Sequence, residues 1–325
     1  MKKLASLHSF LLWPLAMLAG VAHAQSAYPS KTITMFVGSA PGGTTDIAAR
    51  MIAEPLGKAL GQTIVVDNKA GASGAIAAVA VKRAEPDGHT LLMQYSGYHV
   101  ITPVVSKQNL GWEAKDLQPV ANVLSAPQVV VVRSGLPIKT MAELIAYAKA
   151  NPGKLTYASS GNGSLQHVTG AMLEQQGGIQ MTHIPYKGTG PALQDLLGGQ
   201  VDLTFGTPPP FMAHIQSGKL RALAVTGKTR VASLPDVPTT AEAGLAKLDP
   251  TSWFAVFAPA ATPKTVVDKL TAEISRIMST AEFKKKADEL GASAEYLTPA
   301  QLAARSQAEL KHWAEVAKAS KIEAD

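Results

Sequence analysis

Short apolar runs alternate along the chain with stretches in which apolar residues recur every three or four positions. Residues 33–37, 63–66, 90–94, 129–132, 154–158, 180–184, 202–205 and 220–225 have the length and branched-aliphatic content of strands. Between them Ile47, Met51, Leu56 and Leu60 keep near-helical spacing, as do Met141, Leu144 and Ala148, and again Leu193, Leu196 and Leu197. This alternation of periods predicts an α/β fold with parallel sheets. Pro55 falls inside the first helix and predicts a kink there. Residues from about 260 onward read as helical. Thr262-Pro263 and Thr298-Pro299 each place a cap before proline at the first helical position. Thr298 with Gln301, and Ser279 with Glu282, fit the capping box, and Gly291 ends a helix over 283–290. Val266, Leu270, Ile274 and Ile277 form one apolar stripe, and Leu302, Leu310, Trp313 and Ala317 another; both are expected core faces.

The N-terminus follows different rules. Lys2 and Lys3 precede an apolar run over 10–21, and Ala22-His23-Ala24 fits a small-residue cleavage site. Residues 1–24 are therefore expected to be an export signal, with the mature chain starting at Gln25. The apolar run is too short to span a membrane. No cysteine is present, so disulfides, thiol-linked lipid and thiolate metal sites are excluded, and no metal or cofactor is expected. An exported chain without disulfides relies on core burial, and a chain of this length divides most readily into two lobes. The formal charge of +6 includes Lys2 and Lys3; without them 28 basic residues face 24 acidic ones, a net +4. Lysines near the C-terminus read as solvated helix faces. No aromatic residues interleave with a basic stripe, so nucleic acid is not an expected partner.

Two loops concentrate the candidate chemistry. Gly38-Ser-Ala-Pro-Gly-Gly-Thr-Thr-Asp46 and Ser159-Ser-Gly-Asn-Gly-Ser164 each follow a predicted strand and open a predicted helix. Glycine admits close backbone approach, and a helix N-terminus offers unpaired N–H donors with about half a positive charge, so each loop has the makings of an anion cradle. In open α/β sheets ligands bind past the carboxyl ends of the strands. That rule adds Tyr95-Ser-Gly-Tyr-His99, with Ser96, and Gly206-Thr207-Pro-Pro-Pro-Phe211. Asp46 is as well placed to cap the helix as to touch a ligand. Catalytic motifs are lacking: no G-x-S-x-G elbow, H-E-x-x-H or phosphate-binding P-loop occurs. A Ser164–His167 pair is conceivable, which leaves a hydrolase using a loop serine such as Ser164 as the alternative to a binding protein. Lys187 is the best-placed cation for a carboxylate.

Several motifs occur together in one order: Tyr28-Pro-Ser-Lys31, Pro41-Gly-Gly-Thr-Thr-Asp46, Pro86-Asp-Gly88, Ser159-Ser-Gly-Asn-Gly163, His183-Ile-Pro-Tyr-Lys-Gly188 and Leu196-Leu-Gly-Gly-Gln-Val-Asp202. They continue with Leu220-Arg-Ala-Leu-Ala-Val-Thr226, Leu234-Pro-Asp-Val-Pro-Thr239, Glu242-Ala-Gly244 and Ser252-Trp-Phe254. By these motifs the chain resembles the Bug-type extracytoplasmic solute receptors, the substrate-binding proteins of tripartite tricarboxylate transporters. The resemblance implies a type II periplasmic-binding-protein architecture of two doubly wound lobes joined by a double-crossover hinge. The expected lobes are 25–127 with 254–325, and 128–253. It also implies a monomer in the periplasm that binds a small carboxylate for a membrane transporter or a sensor protein. Carried onto this chain, the ligand-binding set is Ser39, Pro41, Gly42, Gly43, Thr44, Thr45, Ser96, Ser159, Ser160, Asn162, Gly163, Ser164, His167, Tyr186, Lys187, Asp202 and Thr207. The chain departs from the family at His89, where tyrosine is common, and at Gly206, where an acid is common. Without that acid an amino-acid ligand is disfavoured. Tyr95, Tyr98, His99, Pro208, Pro209, Pro210 and Phe211 suggest a flatter pocket, so the expected ligand is an aromatic or otherwise bulky mono- or dicarboxylate.

Overall fold

The structure, a computed structural model, describes residues 28–320. The expected export signal and its cleavage site lie outside them. Two five-stranded sheets organise the chain. The first contains β1 (Ile33–Val37), β2 (Ile64–Asn68), β3 (Thr90–Tyr95), β4 (Leu117–Pro127) and β10 (Thr251–Pro259), in the order β2-β1-β3-β10-β4. The second contains β5 (Val129–Arg133), β6 (Thr156–Ser159), β7 (Thr182–Pro185), β8 (Leu203–Gly206) and β9 (Leu220–Val225), in the order β7-β6-β8-β5-β9. Helices α1 (Thr44–Leu60), α2 (Ala75–Lys82), α3 (Thr102–Val105), α8 (Lys264–Ser279), α9 (Ala281–Glu289) and α10 (Pro299–Ser320) accompany the first sheet. Helices α4 (Met141–Ala150), α5 (Leu165–Gly177), α6 (Thr189–Leu197) and α7 (Met212–Gln216) accompany the second.

Each sheet has its own core because each strand set is apolar where helices cover it. In β1 every second residue, Ile33, Met35 and Val37, is buried, while Val129 to Val132 of β5 are buried on both faces. The stripe Leu270, Ile274 and Ile277 of α8 packs into the first core together with Leu302 and Trp313 of α10. Burying a leucine- or isoleucine-sized side chain stabilises the fold by roughly 1.5–3 kcal/mol.

Two local expectations are corrected. The sheets are mixed: β10 runs antiparallel to β3 and β4, and β5 antiparallel to β8 and β9. Period-2 alternation is the same in both strand directions, so only the chain's path could decide this. The caps of α8 and α9 are Pro263 and Thr280, one residue later than the patterns at Thr262 and Ser279 suggest. Thr262 instead donates its hydroxyl to the Pro259 carbonyl, and the Thr280 hydroxyl accepts from Phe283 N–H. Helix α1 carries Pro55 in its interior, where the sequence places it.

The chain crosses between sheets twice, from β4 to β5 and from β9 to β10. Gln128 sits between β4 and β5, and the two crossings are bonded side by side there. Its N–H donates to Thr226 Oγ1 (2.8 Å) and its side-chain amide to Ser252 Oγ (2.6 Å). Thr226 N–H returns a bond to the Gln128 carbonyl at 2.9 Å.

Candidate functional site

The carboxyl ends of β1, β3, β6 and β8 face one another across the seam between the sheets. The first loop, residues 38–46, leads from β1 into α1. Its cap position is Gly43, which has no side chain to accept from the first-turn N–H groups. Asp46 turns back and accepts from Gly42 N–H (3.0 Å) while pairing with Arg50 (3.0 Å), so its charge is spent within the loop. Gly42 has φ +86, a left-handed conformation that favours glycine. Ser39 is buried, and its hydroxyl has no hydrogen-bond partner. A buried unpaired hydroxyl costs about 1–3 kcal/mol, so this loop holds unspent donor capacity.

The second loop, residues 159–164, is satisfied from within. Ser164 caps α5 by accepting from His167 N–H. Ser160 Oγ donates to Gln166 Oε1 (2.7 Å), and Gly163 N–H donates to His167 Nδ1 (3.2 Å). Ser159 Oγ contacts His183 Nε2 at 2.6 Å and accepts from Gly161 N–H. What this loop offers the first lobe is its carbonyls. Tyr98 OH donates to Ser160 O (2.6 Å), Ser73 Oγ to Asn162 O (2.7 Å) and Thr102 Oγ1 to Gly163 O (3.1 Å). Across the same seam Ala40 N–H donates to Lys187 O, and the Thr44 and Thr207 hydroxyls meet at 2.6 Å.

The inner cavity at this seam is lined by Ser39, Gly43, Thr44 and Thr45 of the first loop and by Ser160 and Thr207 opposite them. Tyr95, Tyr98, Gln166, Thr189 and Phe254 complete it. None of these side chains is charged. The volume open to the centre of a water molecule is about 10 Å³, room for one water. Beside it, sharing Tyr98 and Ser160 as lining residues, lies a second cavity, the vestibule, of about 260 Å³ lined by Asn162, Tyr186 and Lys187 among others. A larger groove of about 590 Å³ runs behind the crossover strands, away from both loops, and is lined by Pro127, Arg230 and Arg305 among others. Chemistry rather than size selects the seam, because there the uncapped start of α1 and the unpaired Ser39 hydroxyl meet an aromatic wall. That wall is aromatic: Tyr95 stacks on Phe254 (5.5 Å, 17°), and Tyr98 meets Tyr95 edge-on (5.0 Å, 79°). Burial raises the pKa of both tyrosines, so they face the cavity as neutral phenols.

Other residues expected at the site stand apart from the cavity. Asp202 lies at the opposite end of β8, paired with Arg133 (3.0 Å) and accepting from Thr156 N–H, which removes it from the rim. Ser96 Oγ accepts from Trp253 N–H and pins β10 to the end of β3. Tyr186 sends its hydroxyl to Asp195 (2.6 Å), and Lys187 is exposed at the mouth. Pro41 and Gly42 abut Gly190 rather than the cavity. Ser164 and His167 meet through the His167 backbone, so no serine–imidazole pair forms there. Two expected aromatic walls are also corrected. His99 is buried among Trp112, Trp253 and Phe257, and burial lowers its pKa to about 3. Phe211 fills the space beside Gly206, where an added Cβ would come within 2.5 Å of its ring. The glycine at 206 is thus explained by packing.

Gln166, Thr189 and Phe254 were not among the residues expected from sequence. Gln166 follows the cap by two positions, where a polar side chain ordinarily faces water. Here its Oε1 accepts from Ser160 and from Tyr95 OH of the first lobe (3.2 Å), and its Nε2 donates to Thr189 (3.2 Å). The spacing Ser164-x-Gln166, beside a loop already suspected, was the available signal.

The chain matches the family model for the tripartite tricarboxylate transporter family receptor over residues 48–322. It is similar to the protein BugT of Bordetella pertussis, 36% identical over 301 residues that cover 92% of each chain. Among solved structures it is similar to the periplasmic binding protein BugD, with 37% identity and a TM-score of 0.87, covering 91% of this chain and 99% of that one. It is also similar to R. palustris Rpa4515 with adipate, with 34% identity and a TM-score of 0.88 over 91% and 99% of the two chains.

Proposed function

The chain belongs to the tripartite tricarboxylate transporter receptor family, and from that premise we propose that it captures a small carboxylate between its lobes and hands it to the membrane subunits of such a transporter. It is a periplasmic solute receptor and not an enzyme. The observation that carries the ligand reading is the uncapped start of α1 beside the unpaired, buried Ser39 hydroxyl. A carboxylate there would take the free first-turn N–H groups and the hydroxyl, with the helix dipole aligned in its favour. Hydrogen bonds to a charged group contribute roughly 1.5–3 kcal/mol each. A few of them, less the cost of ordering and desolvation, suffice for micromolar affinity, about −8 kcal/mol. Rpa4515, whose structure contains adipate, supports a carboxylate as the ligand class.

The ligand-binding set is Ser39, Gly43, Thr44, Thr45, Ser160 and Thr207, with Gln166 and Thr189 added. Asn162, Tyr186 and Lys187 belong to the vestibule. Residues 25–127 with 254–325 form one moving lobe and 128–253 the other, with the bonded crossings at Gln128 as the pivot. The receptor works as a monomer, and export follows cleavage after Ala24. The neutral lining offers no acid to hold an ammonium group, which disfavours amino acids. The closed seam has room for one water, so the lobes part to admit a ligand; the rings of Tyr95 and Phe254 then offer an aromatic wall that favours a flat or bulky acid, such as an aromatic carboxylate.

Thermal melting of the refolded, ligand-stripped protein tests this with benzoate, terephthalate, adipate, glutamate and adipamide. A ligand confined to the folded state adds about 2.7 kcal/mol at a hundredfold excess over its Kd. The expected result is a shift with an acid and none with the uncharged diamide. Glutamate alone raising the melting temperature would overturn the aromatic assignment. Equal shifts with adipate and adipamide, or none with any acid, would overturn the anion site.

A further inference from the structure

Behind the second loop lies a pair of histidines that the capture of a carboxylate does not itself require. His167 of α5 and His183 of β7 stack with ring centroids 4.0 Å apart and planes within 5°. Each holds one part of the loop. Gly163 N–H donates to His167 Nδ1 at 3.2 Å, which requires that nitrogen to be unprotonated. His183 Nε2 lies 2.6 Å from Ser159 Oγ, which also accepts from Gly161 N–H and lies 3.1 Å from Gly161 O. All these bonds are made together if His183 donates from Nε2 and the Ser159 hydroxyl donates to the Gly161 carbonyl. The residues ordered in this way supply the carbonyls of Asn162 and Gly163 that meet Ser73 and Thr102 of the first lobe.

The surroundings favour neutral rings. Tyr157 of β6 stacks on the far face of His183 (4.9 Å), and its own pKa is raised by burial. Glu174, further along α5, is bound to Met181 N–H (2.6 Å). The turn Gly97–Ile101, which α5 also touches, contributes the titratable groups of Tyr98 and His99, and β8 contributes none. Burial lowers the pKa of His167; burial and then the charge of His167 lower that of His183, to about 3.

We propose that His167 and His183 are positioning residues for the second loop, and that protonation of His167 at Nδ1 releases Gly163 and weakens capture in acid. The consequence for capture rests on the receptor reading above; the effect on the loop does not. The neutral stack is intact above the ordinary histidine pKa of 6.5 and is lost as pH falls from there toward 3.

The test uses the full chain with no carboxylate added, so it decides the histidine proposal whether or not a ligand is found. Histidine ¹⁵N NMR at pH 7.5 should show His167 unprotonated at Nδ1 and protonated at Nε2. The hydrogen-exchange protection of the Gly163 amide should fall at least tenfold as His167 titrates. His167→Asn, which offers an amide oxygen near the Nδ1 position, should keep Gly163 protected and abolish that pH dependence. His183→Ala, which takes its bonded partner from Ser159 Oγ, should lower the hydrogen-exchange protection of the Gly161 amide that Ser159 accepts from. An Nδ1–H tautomer at pH 7.5 would overturn the proposal. So would flat Gly163 protection through the His167 titration, an undiminished acid response in His167→Asn, or unchanged Gly161 protection in His183→Ala.

Discussion

Residues 38–46 and 159–164 share a layout, a strand followed by small residues and then a helix, yet their hydrogen bonds run in opposite directions. In the first loop Gly43 leaves the start of α1 uncapped and Ser39 Oγ has no partner, so donors are left over. In the second, Ser164 caps α5, and the Ser159 and Ser160 hydroxyls are used within the lobe. Its carbonyls face the first lobe instead. The spare side-chain donor lies at the first loop, whereas the serine hydroxyls of the second are already bonded. Two glycine-rich strand-to-helix turns are therefore not two equal cradles. One is built to hold charge, the other to close over it, and the side chain at the cap position makes the difference.

The largest test of this division removes closure while leaving both loops intact. A Cβ at Gly190 would lie 2.0 Å from the Pro41 carbonyl across the seam, and Gly190 does not have a positive φ that would strain alanine. Gly190→Ala should weaken binding of the carboxylate found by melting at least a hundredfold, about 2.7 kcal/mol, with the unliganded melting temperature nearly unchanged. Calorimetric titration reads the first and a thermal scan the second; undiminished affinity would mean that the lobes need not meet. Next in size, Ser39→Ala removes a donor to the anion and should cost roughly 1.5–3 kcal/mol, about ten- to a hundredfold in Kd. The same variant, freed of an unpaired buried hydroxyl, should melt no lower than the parent.

Tyr98→Phe deletes one bond across the seam, to Ser160 O, and should raise Kd about fivefold, on the order of 1 kcal/mol. The smallest effect on binding is expected at the second loop's cap. Ser164→Ala should cost about 1 kcal/mol of stability, read by denaturant titration, while Kd stays within about threefold. If Ser164→Ala cost more affinity than Ser39→Ala, the roles of the two loops would have to be exchanged.

Much of the fold is legible in sequence because it depends on local period. The runs at 33–37, 90–94, 129–132 and 220–225 lie within observed strands. The two strands that the apolar pattern does not predict, β4 and β10, are the ones that bind the lobes together. Residues 117–127 interrupt their apolar pattern with Gln118, Pro119, Asn122 and Ser125, and no periodic helix separates β9 from β10. The inner cavity was half visible. Ser39, Gly43, Thr44, Thr45, Ser160 and Thr207 follow from loop chemistry, whereas Gln166, Thr189 and Phe254 are ordinary helix and strand residues that become a wall only when the sheets face each other.

By itself the sequence determined the two glycine-rich turns, the helices they open and the apolar faces on which each lobe closes, because these depend on neighbours a few residues away. Only the tertiary structure decided which turn keeps its donors free, that Asp202 stands at the far end of its strand, and that Gln166 reaches Tyr95 across the seam. Whether a polar group is spent or available depends on partners far off in the chain, and no local pattern records where those partners come to rest.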